Sequence, residues 1–511
     1  MSSNLATSAD ISTSSITDLR ADRDVYREII DRARVAQSGW GALSVAQRCS
    51  AVMPLVGEIA RRIDDIADLI SAENGKPRSE SIAHEAVAAV QLVRHHCRTA
   101  PGVLRERRVS LPIQPHRTAR IKRVPFGVAL AIAPWNLPFI IPLSQVLAPL
   151  LAGNAVILKP SELTPRSGAL IGELMGACKL PADVFQVIQG DGAVAAGLID
   201  ARPDKVLFTG SVATGRKVMA ACAKFPIPAS LELGGVDAMI VREDADLEFT
   251  AAAATWGATF NGGQACCSIE RLIVHRSLHD RLVARIADKV ARIDRRRELA
   301  PAIDQRQADI WRRHLADARE RELAVTVGGQ FSSDFRLEPT LITGADVRES
   351  AVWNEETFGP VVAVVPFDTD EEAIELHNAT HFGLTASVFS RDLNAARAMA
   401  DRLRVGLVSI NDVAATSYSS PELPWGGIGE SGFGRTHGQE GMIDSTWAKV
   451  IESPRLPMNA KRPWWYPYGR DLELAMTALA QALASDGPAR ARRLAKAGAG
   501  VLPLLSRNPR L

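Results

Sequence analysis

KVLFTGSVATGRKVMAAC, residues 205–222, joins two textures within a few turns of chain. Lys205–Thr209 is an apolar run of strand length, the residues after Ser211 suit a helix, and a glycine-bearing turn separates them. Runs of the same size return as FGVALAIAP (126–134), GNAVILKP (153–160), VDAMIV (236–241), RLIVH (271–275), VVAVVPFD (361–368) and GLVSIND (406–412), alternating with helical stretches. Alternation of this kind predicts parallel sheets covered by helices, an α/β architecture. Toward the N-terminus, Asp24 to about Arg105 is helical and amphipathic, with apolar residues three and four apart in VMPLVGEIARRIDDIADLI (52–70).

The chain has 511 residues, which predicts two or three domains. Hydrophobic residues make up 46%, charged residues 23%, and the net charge of +2 is too small to argue for a nucleic-acid partner. Six scattered cysteines without framework spacing, and no secretory signal pattern, suit a reducing cytoplasm. The Ser/Thr-rich residues 1–20 read as a disordered lead-in. HHC at 95–97 lacks further ligands at workable spacing, so no metal is expected. The charged run Ala291–Ala324 reads as a solvated helical face. The tail at 461–511 opens with KRPWWYPYGR and continues apolar on a helical period with a basic excess. Packing against a partner subunit or the body of the protein is its favoured reading, and peripheral contact with an anionic membrane surface is the alternative.

In FNGGQACCSIER (260–271) two cysteines stand side by side behind Gly-Gly-Gln. A nucleophilic cysteine needs thiolate character, an accessible position and a partner for the charge that forms when it attacks a carbonyl. The Gly-rich turn suits exposure of a sulfur, but composition leaves Cys266 and Cys267 equivalent. Asn136, in PWNLPF (134–139) directly after an apolar strand, is either an oxyanion-hole amide or a plain turn residue. Glu232, in LELGG (231–235), has apolar neighbours that favour its neutral acid and make it a usable base; capping a helix or pairing with an arginine is the structural alternative. No GxGxxG follows a strand, but Gly210, Ser211 and Gly215 form a looser strand-turn-helix phosphate site for a dinucleotide.

Together with LKPSE (158–162), FTGSVATG (208–215), EETFGPV (355–361) and LPWGGIGESGFGR (423–435), these segments resemble, in their order, the aldehyde dehydrogenase superfamily from about Asp24 to about Ser453. The resemblance implies a Rossmann-type NAD-binding domain at 21–107 and 126–234 and an α/β catalytic domain at 235–445. It also implies a small β oligomerisation element at 108–125 and 446–460, and hence a homodimer or homotetramer. It makes Cys266 the nucleophile, Glu232 the general base and Asn136 the oxyanion amide, with Cys267 a lining residue. Lys159 and Glu162 fall on the adenosine ribose, where the carboxylate repels an extra phosphate and favours NAD over NADP. Glu356 and Phe358 fall on the nicotinamide ribose and ring, and Trp135 and Gly234 complete the cofactor set.

The implied reaction oxidises an aldehyde to a carboxylic acid through a cysteine thiohemiacetal and thioester. Leu137, Phe260, Ala265, Cys267 and Trp425 fall on the substrate tunnel and predict an apolar aliphatic or aromatic aldehyde. SIER and the tail also resemble a subgroup assigned to succinate semialdehyde, with Arg271 the candidate for its carboxylate. Readings of another class are a cofactor-independent cysteine esterase or thioesterase, for which no histidine sits in a catalytic motif, and an inactive binding homologue. Departures from the family pattern are Val236-Asp237 after LELGG, Arg435-Thr436-His437 where a second glutamate is common, and Gln145 where many relatives carry lysine.

Overall fold

A computed structural model describes residues 23–111, 114, 117–455, 466 and 468–506. The lead-in expected at 1–20, the end of the strand expected at 446–460 and most of KRPWWYPYGR lie outside the described residues. The chain divides into two compact units, Met1–Arg105 with Lys122–Lys449, and Glu106–Ile121 with Val450–Leu511.

The described strands form three sheets. β1 (Arg107–Val109) and β2 (Arg117–Pro125) open a three-stranded one. β3 (Val128–Ile132), β4 (Ala155–Lys159), β5 (Phe185–Val187), β6 (Lys205–Thr209) and β7 (Ala229–Glu232) then build a parallel sheet. The next seven strands are β8 (Asp237–Val241), β9 (Ile269–His275), β10 (Ala324–Val327), β11 (Thr340–Thr343), β12 (Val361–Phe367), β13 (Thr385–Phe389) and β14 (Leu407–Ile410). They order as β10-β11-β12-β9-β8-β13-β14, parallel except for β10. The two-residue β15 (Gly432–Phe433) returns to the first parallel sheet, completing the order β15-β7-β6-β3-β4-β5, and runs antiparallel to β7. β16 (Thr446–Pro454) completes the three-stranded sheet.

The expected α/β class is met for a physical reason. Every residue of β3, β4 and β8 is buried, as befits parallel strands covered on both faces; β3 is apolar throughout, and β4 and β8 are apolar except for Lys159 at the end of one and Asp237 at the start of the other. Helices supply the cover. Ile140–Ala152 is buried along its whole length, and Ile63–Asn74 buries Ile66, Ala67 and Ile70 before stopping at Gly75, whose φ of 76° suits glycine.

The run Ala291–Ala324 departs from the solvated-face reading. It breaks into helices Arg295–Glu298 and Gln305–Glu320, and the longer one buries Gln307, Ala308, Trp311, Leu315 and Ala318. Its charges occupy the other face, as in any amphipathic helix packed on a sheet.

In the smaller unit β1 pairs antiparallel with β2, Arg107 opposite Ile121, and Arg117 pairs with Glu452. Helices Arg470–Leu483 and Gly487–Ser506 pack together, with Ala475, Ala478, Ala482 and Ala497 buried and Arg493 Nη1 donating to the Gln481 carbonyl at 3.1 Å. Among the described residues, no helix is long and apolar enough to cross a membrane.

Candidate active site

The FNGGQACC segment links the helix Leu247–Thr259 to β9. Three successive residues, Asn261, Gly262 and Gly263, have φ of 53°, 64° and 74°. A Cβ at Gly263 would lie 2.2 Å from the Gly359 carbonyl carbon, so glycine is required there by space as well as by φ. Gln264 clamps this turn: its Nε2 donates to the Pro301 carbonyl at 2.8 Å and its Oε1 accepts from Ile303 N at 3.0 Å. The turn leaves Cys266 half-buried and turns Cys267 inward, where it is buried.

β6 and β7 bring the other groups. Glu232 ends β7, its backbone carbonyl accepts from Gly210 N at 3.1 Å, and among the described residues neither of its buried carboxyl oxygens has a hydrogen-bond partner. Burial holds its carboxyl well above the usual carboxylate range, and a charge on Cys266 would raise it further. The adjacent Cys267 thiol, followed by burial, pushes the Cys266 thiol up. Asn136 is buried, and its Nδ2 donates to the Gln264 carbonyl at 3.1 Å.

A cavity of about 180 Å³ joins Trp135, Asn136, Gly210, Ser211, Glu232, Gly234, Cys266, Glu356 and Phe358 in one lining. Glu356 accepts from Gly235 N at 3.2 Å, and burial pushes its carboxyl up to about 7. A Cβ at Gly234 would come within 2.1 Å of the Glu356 carboxylate, so this glycine keeps open the space the acid occupies. The Phe358 and Trp135 rings meet edge-on at 5.6 Å.

Lys159, Glu162 and Gly215 do not line that cavity. Lys159 ends β4 and donates to the Gly190 carbonyl at 2.8 Å and to Glu162 at 3.3 Å. Gly215 lies against Leu233, and Ser211 caps the helix Val212–Ala223 by accepting from Thr214 N.

Leu137, Phe260, Ala265, Cys267 and Trp425 are all buried in one apolar cluster, and Cys266 packs at its margin. Tyr418 and Trp256 belong to this wall and carried no motif. Tyr418 meets Trp425 at 4.9 Å and Trp256 meets Phe260 at 5.2 Å between ring centroids.

Arg271 does not reach the cavity. It is 1% exposed in β9, its Nε donates to the Val236 carbonyl at 2.9 Å, and its guanidinium lies 5.1 Å over the Trp353 ring. Gln145 Nε2 donates to Thr209 Oγ1 at 2.7 Å. Glu270, also missed by sequence reasoning, accepts from Thr357 N at 2.8 Å and Phe358 N at 2.7 Å and so fixes the backbone that presents Phe358. The alternation of β9 places Glu270 and Arg271 on opposite faces, but nothing in SIER says which distant loop either one holds.

Residues 9–451 match the model of the aldehyde dehydrogenase family. The chain is 39% identical over 461 residues to 4,4'-diapolycopene aldehyde oxidase from a Methylomonas species, covering 87% of this chain and 84% of that protein. It is 33% identical over 435 residues to betaine aldehyde dehydrogenase of Cereibacter sphaeroides, covering 83% and 88%. The crystal structure of betaine aldehyde dehydrogenase from Staphylococcus aureus in complex with NAD+ matches with a TM-score of 0.81 at 29% identity, over 87% of this chain and 90% of that one. The chain belongs to the aldehyde dehydrogenase family and is an NAD(P)-dependent oxidoreductase acting on an aldehyde.

Proposed function

We propose that the chain oxidises a medium to large apolar aldehyde, with Cys266 as nucleophile, Asn136 as oxyanion donor and Glu232 as the base that completes turnover. The observation that carries this reading is the position of Cys266, at the margin of an apolar cluster and in the lining of the cavity that holds both Glu232 and Asn136. Attack of Cys266, as the thiolate after its proton has left to solvent, on the aldehyde carbon forms a C–S bond and moves the carbonyl π pair onto oxygen, giving an oxyanion for which an Asn136 side-chain N–H is the nearby donor. Bound in the cavity, NAD(P)+ supplies the hydride acceptor. Glu232 then takes a proton from the water that breaks the thioester and releases the acid. Burial of Glu232 supports this role, because a raised pKa brings a carboxylate closer to the basicity that proton abstraction needs.

The residues present fit a dinucleotide. The opening kept at Gly234 beside Glu356 and the edge-on Trp135–Phe358 pair suit the nicotinamide end. The Lys159–Glu162 pair at the end of β4 suits the adenosine ribose and favours NAD+. Gly210 and Ser211, at the start of a helix, suit the phosphates.

An apolar substrate is supported by the five tunnel residues, none of them charged, and by the relative whose name gives a diapolycopene aldehyde. Succinate semialdehyde is disfavoured, because Arg271 is buried in β9 and does not line the cavity. We read the sheet of β3 to β7 with β15 as the cofactor domain and the seven-stranded sheet as the catalytic domain. The segments 108–125 and 446–460 would serve a homodimer or homotetramer in the cytoplasm, and the tail would pack on a partner subunit or the body of the protein, with a membrane surface the alternative.

The test is aldehyde-dependent NADH formation by Cys266→Ala and Cys267→Ala, with decanal and succinate semialdehyde compared. Loss in the first variant, retention in the second and preference for decanal are expected. Equal activity in both variants sinks the nucleophile assignment, and a large preference for the semialdehyde sinks the apolar reading.

A further inference from the structure

We propose that the buried ion pair Lys76–Glu85 is a positioning device that sets Asn136 as oxyanion donor by gripping both ends of the loop that carries it. The inference rests on the reading of Asn136 above.

The pair is enclosed. Both side chains are 0% exposed, and Lys76 Nζ lies 2.6 Å from Glu85 Oε1. Each partner reaches past the other to the same short segment of backbone. Lys76 Nζ donates to the Asn136 carbonyl at 2.8 Å. The second oxygen of Glu85 accepts from Phe139 N at 2.9 Å and Ile140 N at 3.0 Å, where the helix Ile140–Ala152 begins. These are amides that a helix start leaves without an intrahelical partner, and a carboxylate there also meets the positive end of the helix dipole. The lysine thus fixes Asn136 while the glutamate fixes the residues three and four further on.

Two other side chains converge on the same carbonyl. Asn261 Nδ2 donates to Asn136 O at 3.0 Å and to Gln264 O at 3.0 Å, and Asn74 Nδ2 approaches Asn136 O at 3.4 Å. With Asn136 Nδ2 bonded to Gln264 O, the donor and the turn before Cys266 share one hydrogen-bonded frame. Glu85 itself sits in a π-helical turn, Ser81–Val87, and such wide turns recur at functional sites.

Apolar residues of similar volume would make a core at least as stable as a buried ion pair. What the pair adds is the direction of its hydrogen bonds. A preorganised donor loses catalysis when displaced by a fraction of a bond length, because it must meet the oxyanion rather than the ground-state carbonyl.

The experiment is a mutant cycle in the full-length enzyme, K76M/E85L crossed with Asn136→Ala, reading the rate of the first-turnover NADH burst, the KM values and the melting temperature. K76M/E85L removes both charges together, so no lone charge is left buried. It is expected to fold, to keep KM for NAD+ and aldehyde within about 3-fold, and to slow the burst by about 10- to 100-fold, on the order of one misplaced oxyanion donor. In the Asn136→Ala background the same pair of changes should cost less than about 2-fold, because the group it positions is gone. Glu85→Gln keeps an acceptor oxygen in the same volume and gives a milder second reading, a slowing of about 3- to 10-fold that also vanishes beside Asn136→Ala.

A burst in both K76M/E85L and Glu85→Gln within 2-fold of the parent, or an undiminished effect in the Asn136→Ala background, overturns the positioning proposal while leaving Asn136 in its role. An Asn136→Ala enzyme with the parent's burst overturns the oxyanion reading and the proposal with it.

Discussion

The two sides of Cys266 are built on opposite principles. Toward the cavity stand carboxyls, Glu232 without a hydrogen-bond partner among the described residues and Glu356 accepting from the Gly235 amide, both pushed toward neutrality by burial. Toward the apolar cluster, Tyr418 packs its ring on Trp425 and Phe260 packs on Trp256, among buried aliphatic side chains. The difference teaches how the site divides its work. On the proposed reading, the groups assigned to proton transfer and cofactor contact are buried acids with few hydrogen bonds, whereas those assigned to substrate selection are packed among apolar side chains. Selectivity on the apolar side is accordingly modest per contact, and chemistry on the cavity side is steep.

The largest effect expected on that division comes from Glu232→Gln. Steady turnover should fall by about 100- to 1000-fold while a first-turnover burst of NADH persists, because the base is needed only after the thioester forms. Stopped-flow absorbance separates the phases, and loss of the burst along with turnover would assign Glu232 to acylation as well. Next comes Gly234→Ala, whose methyl would lie in contact with the Glu356 carboxylate. KM for NAD+ should rise by about 10-fold with little change in aldehyde KM, since the damage falls on binding shared by ground and transition state. Equal changes in the two KM values would mean that the cavity and the apolar wall are not separate.

On the other side, Phe260→Leu should cut kcat/KM for decanal by about 10-fold and leave succinate semialdehyde within about 2-fold, the scale of one altered apolar contact. A parallel loss on both substrates would reduce this wall to scaffolding. The smallest effect is one of pH. Glu356 has its carboxyl raised from 4.5 to about 7, so its contribution to stability is full below pH 4.5 and is lost as pH rises through about 7. Glu356→Gln should therefore flatten that decline, and melting curves between pH 4.5 and 8 should show it; an unchanged slope would assign the decline to other groups.

Much of this was legible in the sequence because the information was local. The strands announced themselves as apolar runs, and GGQACC, LELGG and PWN each carry their special residue within a few positions of the glycine or proline that shapes the turn. The family resemblance, through the position two residues after Gln264, favours Cys266 over Cys267, which composition left equivalent. What stayed hidden depends on distant pairing. Lys76 and Glu85 are two charges in an amphipathic helical region, and only folding shows that they face Asn136 rather than solvent. Trp311 sits in a stretch rich in arginine, yet its indole nitrogen reaches the Phe358 carbonyl at 3.1 Å. Arg271 misled in the opposite sense, because a charge two residues into a strand looked available and is buried against Trp353.

The short strand β15 carries one more consequence, for the order in which the molecule is assembled. Gly432 pairs with Glu232, which lies in the first half of the chain, and Leu233 N donates to the Ser431 carbonyl at 3.1 Å. During synthesis the first parallel sheet can gather its five consecutive strands early, but β7, which ends in Glu232, keeps a bare edge until Gly432 and Phe433 have emerged. Trp425 arrives on the same late segment, bridged to Thr436. The five consecutive strands can therefore come together first, and the edge beside Glu232 closes only when β15 and the segment that carries Trp425 are added.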